Sequence, residues 1–209
     1  MHEKVLSKNC LEFLKSLESD SSSLLRGWVL AGGTGLGLQL GHRISDDLDL
    51  FRGDVEDLRH LHEELRPYGP YETLQDYAHT LTVMIDGTKI SFFKLEAPWL
   101  YDTVPYRDFS IADIRDIALM KLMAIHNRGS RKDFIDLYTV LQGDLLLQDY
   151  FTLLPEKYGS SRINLYQILK SLNYFQDAER EPMPVMLVPF RWEECKAFFI
   201  RAAHGIVLI

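Results

Sequence analysis

Asp47 and Asp49, two aspartates separated by one residue, are the groups whose type and spacing most directly suggest chemistry. On a β-strand, residues two apart project from the same face. Neighbouring carboxylates repel each other unless a cation lies between them. Mg²⁺ is typically held by one or two carboxylates together with water and substrate phosphates. The pair therefore predicts a divalent metal site, and a solvated polar strand is the alternative.

A glycine-rich turn, Gly32-Gly33-Thr34, precedes these aspartates and opens a short predicted helix. Backbone N–H groups at such a turn and at a helix N-terminus favour anionic phosphate. The segment lacks the third glycine of the dinucleotide fingerprint and the Gly-Lys-Ser/Thr of a P-loop. The turn and the aspartates together predict a site for the triphosphate tail of a nucleotide and its metal. A tight turn without a ligand is the alternative.

The elements that must position these residues follow from the hydrophobic pattern. Residues 3–19 have a helical period that the stretch 20–23 interrupts, and strands are predicted at Trp28–Ala31 and Asp46–Phe51. A helix is predicted after Asp54, and a hairpin turns at Asp86-Gly87. Helices dominate from Ser110 onward, with a break at Gly129. The pattern predicts an α+β protein with a small mixed sheet flanked by helices and a helical C-terminal half.

Composition narrows the class of protein. The 209 residues carry a net charge of −7, which argues against general coating of nucleic acid, so an RNA contact would need a local basic cluster. Lys121, Arg128, Arg131 and Lys132 are the candidates for that cluster. The sequence contains no membrane-spanning apolar run and no signal-peptide pattern, and Cys10 and Cys195 fit no metal or redox spacing. We therefore expect a cytoplasmic protein with reduced thiols.

The segment AGGTGLGLQLGHRISDDLDLF resembles the first motif of the AbiEii-like (abortive-infection, DUF1814) branch of the nucleotidyltransferase superfamily. The segments ALMKLMAIHNRGSRKDFIDLYTVL and RWEECKAFF are similar to later blocks of the same branch. This resemblance implies a minimal polymerase-β-like palm over residues 1–109 and a mainly helical part over 110–209 that completes the active-site cleft. It also implies transfer of NMP from an ATP- or GTP-type substrate, with Mg²⁺ or Mn²⁺ as cofactor.

The resemblance carries residue roles onto this sequence. Asp47 and Asp49 would hold the metal, and the triphosphate would be bound by the following residues: Gly32, Gly33, Thr34, Arg43, Lys121 and Arg128. Asp133 and Asp136 would complete the catalytic set, one of them orienting the acceptor hydroxyl or a basic partner.

Purely structural roles are the alternatives for several of these residues. Lys121 and Arg128 also fit one solvated helical stripe, and Ser130 with Asp133 also fits a helix capping box. Arg43 also fits a loop salt bridge, and Asp136 a pair with Lys132.

Ser91 departs from the superfamily pattern, which expects a third carboxylate at this position of the hairpin. A hydroxyl is a weak Mg²⁺ ligand and a poor base, so this substitution leaves catalytic competence open, with Asp86 and Glu96 as the nearest substitutes.

The favoured function is a toxin or abortive-infection nucleotidyltransferase that modifies RNA, such as tRNA, or protein, with a cognate antitoxin as a partner. The alternatives are an aminoglycoside-type small-molecule nucleotidyltransferase and a nucleotide-binding regulatory module without turnover.

Overall fold

A seven-stranded mixed sheet is the framework of the N-terminal half of the protein. The computed structural model describes residues 1–19, 24–143 and 145–208. The chain divides into two compact units, Met1–Asp113 and Ile114–Ile209. The strands all belong to the first unit: β1 (Val29–Ala31), β2 (Leu48–Arg52), β3 (Tyr71–Tyr77), β4 (Thr80–Ile85), β5 (Thr88–Lys94), β6 (Val104–Tyr106) and β7 (Phe109–Ile111).

The order across the sheet is β3-β4-β5-β2-β1-β7-β6. Strand β2, which carries the acidic motif, lies at the centre, antiparallel to β1 and parallel to β5. Strands β1 and β7 are also parallel, whereas the pairs β3–β4, β4–β5 and β6–β7 are antiparallel. The first unit also contains α1 (Lys8–Ser19), α2 (Gly32–Leu40) and α3 (Leu61–Leu65), with 3₁₀ turns at Glu3–Val5 and Arg66–Tyr68.

Alternation along the central strands separates an apolar row from a polar row. Leu30, Leu50, Phe92 and Leu81 are register partners across β1, β2, β5 and β4, and all are fully buried. Successive side chains on a strand point to opposite faces of the sheet. The next register row therefore points to the other face, and it contains Asp49.

The second unit is helical in the residues described. Its helices are α4 (Ile114–Asn127), α5 (Arg131–Val140), α6 (Leu147–Tyr158), α7 (Leu165–Ser171), α8 (Gln176–Arg180) and α9 (Trp192–His204). Among the described residues, no helix combines the length and apolarity needed to cross a membrane.

The structure confirms the predicted α+β class, the mixed sheet with flanking helices and the helical C-terminal half. The hairpin at Asp86-Gly87 is also confirmed, and both turn residues have positive φ, as a primed two-residue turn requires. The helix predicted after Asp54 is wrong in extent, because only Leu61–Leu65 is α-helical. Strands β3, β6 and β7 were not predicted, and the helical pattern expected from Ser110 begins only at Ile114, because Ser110 and Ile111 belong to β7. The predicted interruption at 20–23 lies outside the described residues.

Candidate active site

Asp49 occupies the centre of the polar row of the sheet. Its register partners are Ala31 on β1 and Ser91 on β5, and the Asp49 side chain is half-buried. Ser91 is buried, and its hydroxyl accepts a hydrogen bond of 3.2 Å from the Thr82 hydroxyl. The residue expected to be a third carboxylate therefore lies directly beside Asp49 and presents a neutral group.

Asp47 immediately precedes strand β2, which begins at Leu48. The expectation that both aspartates occupy strand positions therefore holds for Asp49 and is wrong for Asp47. The Thr34 hydroxyl donates to the backbone carbonyl of Asp47. The Lys89 ammonium lies 3.4 Å from the Asp47 carboxylate, whose side chain is 48% exposed. Asp47 is thus fixed through its backbone, while its carboxylate faces solvent.

The glycine turn is in direct contact with the acidic strand. Gly32 has φ +63°, and the Asp49 carboxylate lies where a Gly32 side chain would begin. At Gly33 the corresponding space holds the Arg43 guanidinium and, at 3.1 Å, the Ser45 hydroxyl. Side chains at either glycine would displace these groups, so the close approach explains why both residues are glycine.

Thr34 and Arg43 are both buried at the start of helix α2. The Thr34 hydroxyl donates its proton to the Asp47 carbonyl and can accept a hydrogen bond from the Ser45 hydroxyl, which lies 2.9 Å away. The Arg43 side chain donates to the carbonyl of Ile44 at 3.0 Å and is only 2% exposed as a residue. Thr34 therefore couples the turn to the acidic strand, and Arg43 places a positive charge beside the first turn of the helix.

Lys121, Asp133 and Asp136 form a buried charge cluster in the second unit. The Lys121 ammonium lies 2.9 Å from the Asp133 carboxylate and 2.7 Å from that of Asp136. Both aspartate side chains are fully buried, and Lys121 is 7% exposed. Arg128, which is exposed, donates to both carboxylate oxygens of Asp133 at 2.8 and 3.0 Å. The cluster joins helix α4 to helix α5, and Lys121 is not part of a solvated stripe.

Electrostatics keep this cluster charged despite burial. Burial by itself lowers the pKa of Lys121, but the charges of Asp136 and Asp133 outweigh it, so the net pKa is raised. Burial likewise acts to raise the pKa of Asp133, and Lys121 together with Arg128 reverses this, so the net pKa is lowered. Opposite charges close by stabilise the ionised forms of both groups.

The start of helix α5 differs from the predicted capping box. The Ser130 hydroxyl donates to the Glu181 carboxylate at 2.8 Å, and the same carboxylate oxygen accepts the backbone N–H of Arg131 at 2.8 Å. Among the described residues, Ser130 makes no side-chain cap hydrogen bond. The carboxylate that caps helix α5 is therefore that of Glu181. Asp133 instead pairs with Lys121 and Arg128.

Only some side chains of the predicted basic cluster are exposed to solvent. Lys121 is buried, and the Arg131 guanidinium donates to the carbonyl of Ala178 at 2.8 Å while lying over the Trp192 ring. Arg128 and Lys132 remain exposed. A local RNA contact from this segment would therefore depend on two of the four basic residues.

The predicted site residues fall into two groups, one in each unit. The first unit brings together the following residues: Gly32, Gly33, Thr34, Arg43, Asp47 and Asp49. The second unit brings together Lys121, Arg128, Asp133 and Asp136. Sequence reasoning missed Lys89, because the β2–β5 pairing was unknown. It gave no role to Ser45, although Ser45 lies within the segment that carries the resemblance.

The carboxylates of Asp47 and Asp49 are the type of ligand that a hard divalent cation with few protein ligands requires. No group of three or more histidine, cysteine, aspartate or glutamate side chains suited to a metal occurs in the part of the chain that the structure describes. Two carboxylates, one of them open to solvent, suit Mg²⁺ or Mn²⁺ that takes its remaining ligands from water and substrate phosphates.

Comparisons with known proteins extend over nearly the whole chain. The family described as "Nucleotidyl transferase AbiEii toxin, Type IV TA system" matches residues 16–203. An uncharacterized protein of Aquifex aeolicus (strain VF5) is 36% identical over 186 residues, covering 87% of this chain and 88% of that protein.

Solved structures of other proteins share the fold, and two of them illustrate the similarity. MenT4, a nucleotidyltransferase toxin from Mycobacterium tuberculosis H37Rv, has a TM-score of 0.59 at 13% identity, covering 94% of this chain and 82% of that one. JHP933 from Helicobacter pylori has a TM-score of 0.53 at 18% identity, covering 95% of this chain and 92% of that one.

Proposed function

The chain belongs to the AbiEii nucleotidyl transferase toxin family, and from this premise we propose that it transfers NMP from a Mg²⁺-bound NTP to RNA or protein. The family supports nucleotidyl transfer in general. The acceptor class, the metal, the site residues and a role as the toxin of a toxin–antitoxin pair are parts of the proposal. The observation that supports it is the close approach of the Asp49 carboxylate to Gly32 at the N-terminus of helix α2. A helix N-terminus favours phosphate, and a carboxylate beside it could hold the metal of the nucleotide.

In this reaction the acceptor hydroxyl oxygen forms a bond to the α-phosphorus as the bond to the pyrophosphate oxygen breaks, and the hydroxyl proton leaves to water. Mg²⁺, held by Asp47 and Asp49, would supply charge neutralisation at the phosphates and polarise the α-phosphate. The backbone N–H groups of Gly32, Gly33 and Thr34 would bind the triphosphate, since the first N–H groups of a helix have no partner within it.

Several side chains would hold this arrangement rather than touch the reacting atoms. The Thr34 hydroxyl fixes the backbone of Asp47, and Gly33 allows the Arg43 guanidinium to approach the first turn of α2. A buried cation at this position favours the accumulation of phosphate charge. Arg43 would thus strengthen phosphate binding from behind the turn.

The roles that the family resemblance gives to the Lys121 cluster are also part of the proposal. Lys121 and Arg128 would neutralise phosphate charge, and Asp133 or Asp136 would orient the acceptor hydroxyl or a basic group. Asp133 also holds Arg128, the exposed member of the cluster, in position through two hydrogen bonds.

Transfer is tested with NTPs radiolabelled at the α-phosphate, supplied one at a time with Mg²⁺ to total RNA and to bulk protein. The proposal expects label in an RNA or protein band with wild type and its loss in Asp47→Ala/Asp49→Ala. The matched control is Asp54→Ala/Asp57→Ala, which removes two exposed carboxylates of the same unit. Loss of label in that control as well would trace the effect to net charge and contradict the assignment.

Other outcomes select the alternatives. Label transferred only to a small cationic hydroxyl compound would identify an aminoglycoside-type transferase. Mg²⁺-dependent NTP binding without pyrophosphate release would identify a regulatory module, for which the neutral Ser91 beside Asp49 is the structural rationale. An antitoxin is tested separately, by whether a gene product encoded beside this one relieves growth inhibition by the wild-type chain.

A further inference from the structure

A cluster of three aromatic rings lies on the same face of the sheet as Asp49. Phe51 on β2 and Phe93 on β5 are register partners, with stacked rings whose centroids are 5.0 Å apart. Trp99 packs edge-on against Phe51 at 6.1 Å. None of these three side chains, which we call the aromatic cluster, is fully buried.

Register fixes the position of the aromatic cluster relative to the carboxylates. Phe51 follows Asp49 by two residues, and Phe93 follows Ser91 by two residues, so both rings project from the polar face. Two residues along a strand span about 7 Å, which is close to the separation between a phosphate and the base of the same or the next nucleotide. A nucleotide with its phosphate at the predicted metal site could therefore place a base against these rings.

The aromatic cluster differs from the aromatic contacts that build the core. In the second unit, Phe134 and Phe199 also pack edge-on, but both are fully buried and serve the core of that unit. Phe51 and Phe93 instead share a register row with Val29 and Thr80, which are also only half-buried. This end of the polar face thus offers partly accessible ring surface.

The position of the aromatic cluster along strand β2 indicates whether it lies nearer the leaving pyrophosphate or the acceptor. The glycine turn follows Ala31, the register partner of Asp49, whereas Phe51 lies at the opposite end of the strand from Asp47 and the turn. In nucleotidyl transfer, the attacking hydroxyl and the leaving pyrophosphate are roughly in line on opposite sides of the α-phosphorus. If the turn binds the pyrophosphate portion, the aromatic cluster lies on the acceptor side.

We propose that Phe51, Phe93 and Trp99 stack the terminal base of a single-stranded RNA acceptor and hold its terminal ribose hydroxyl near Asp49. This proposal rests on the proposed function, and it selects RNA over protein as the acceptor. Every nucleobase has a π-face, and stacking on aromatic side chains contributes about 1–3 kcal/mol per base. Aromatic stacking also tolerates any sequence, so the subsite reads the presence of a terminal base rather than its identity.

The test uses a short single-stranded RNA that carries 2-aminopurine as its 3′-terminal base, because the fluorescence of this base falls when it stacks. Binding is measured with Mg²⁺ and a non-hydrolysable NTP analogue present. Phe93→Leu and Trp99→Leu keep apolar volume but remove the π-surface. Phe198→Leu is the matched control, since Phe198 is a half-buried ring that packs on Tyr138 in the second unit.

We expect wild type and Phe198→Leu to quench the probe. Phe93→Leu and Trp99→Leu should lose the quenching and raise the probe Kd about 5- to 150-fold, the equivalent of one lost stack. Circular dichroism checks that each variant is folded, and the affinity for the NTP analogue should stay unchanged. Equal quenching in all four proteins, or no binding of the probe to wild type, overturns the stacking proposal.

The radiolabel assay separates this proposal from the proposed function. Label found only in protein or in a small molecule overturns the RNA subsite while nucleotidyl transfer stands. Quenching by wild type, without label in any acceptor, supports the stacking subsite and counts against the transfer reaction alone.

Discussion

Replacing Lys121 by methionine should show whether the buried charge cluster serves stability, catalysis or both. The substitution keeps most of the side-chain volume but removes the charge that Asp136 pairs with at 2.7 Å. Asp133 retains Arg128, whereas Asp136, which is fully buried, loses its ion pair to Lys121. Breaking a buried ion pair by removing one partner costs about 3–5 kcal/mol. For a chain of this size, that cost lowers the Tm by roughly 6–20 °C.

The comparison that isolates function is Lys157→Met. Lys157 and Asp116 form a second buried ion pair in the same unit, at 2.6 Å with both side chains almost fully buried. The proposed reaction does not use this pair, so Lys157→Met should destabilise the fold to a similar extent and retain turnover per folded molecule. Arg191→Met removes an exposed pair with Glu194 and should cost less than about 1 kcal/mol.

The assay is thermal and urea unfolding followed by NTP labelling well below the Tm of each variant. Lys121→Met should lose both stability and turnover per folded molecule, whereas Lys157→Met should lose stability alone. A Lys121→Met protein with wild-type Tm would refute the buried-pair reasoning. One that is destabilised but fully active would remove Lys121 from the proposed reaction.

The pH dependence of stability gives an independent readout of the same cluster. The pKa of Asp133 is lowered in the folded protein, so its contribution is present above the ordinary value of 3.8 and is lost as the pH falls through the folded pKa. The pKa of Lys121 is raised above 10.5 in the folded protein. Its contribution to the free energy of unfolding is therefore fully present below pH 10.5 and is lost only as the pH rises through the pKa of the folded state. The stability gap between wild type and Asp133→Asn should therefore be constant near neutrality and narrow below about pH 4. A gap that is unchanged at low pH would contradict the assigned charge state.

Two further predictions concern the first turn of helix α2 and the thiols. Gly32→Ala should cost about 1–2 kcal/mol for the left-handed conformation. Gly32→Ala should also abolish labelling in the folded protein, because the new methyl group displaces the Asp49 carboxylate. The control is Gly53→Ala, whose methyl group would meet nothing within 4 Å. If Gly32→Ala remained active, the close approach of Gly32 to Asp49 would not be needed for function. Cys10 and Cys195 are free and buried, and burial raises the pKa of Cys10 to about 12 and that of Cys195 as well. Neither thiol should react with a thiol reagent at neutral pH until the protein unfolds, and rapid labelling of the native protein would contradict this.

Local pattern was sufficient to predict the elements around the acidic motif. Strand β1 was predictable as a short apolar run that ends at a glycine turn, and the hairpin was predictable from apolar alternation on both sides of an Asp-Gly turn. The sequence of helix α2 was only compatible with a short helix despite its glycines. Strand β3 was not predictable, since its side chains are almost all exposed and it has no apolar alternation to detect. It is held by backbone pairing with β4, which depends on register rather than on composition.

Pairing between distant strands also limited what could be predicted about the site. The sequence alone indicates that Asp47 and Asp49 belong together, because they are neighbours in the chain. The residue pattern does not indicate that Ser91 lies beside Asp49. The family resemblance assigned Ser91 to the position of a third carboxylate, and the parallel pairing of β2 with β5 provides the physical contact. The buried state of Lys121 was equally out of reach, since a lysine at that helical spacing is compatible with solvent and only the placement of Asp133 and Asp136 on α5 excludes it.

The arrangement around Asp49 suggests how a site with two carboxylates is assembled. An acidic residue in place of Ser91 would put a third negative charge beside Asp49 in a position that is buried and hydrogen-bonded to Thr82. Such a charge is unfavourable without a bound cation, since buried like charges raise one another's pKa. A serine here removes that repulsion, while Lys89 already lies close to Asp47 from the neighbouring strand. If Asp47 and Asp49 hold the metal as proposed, the site has fewer anionic ligands than one with three carboxylates, so retention of the metal should depend more on the phosphates of the nucleotide.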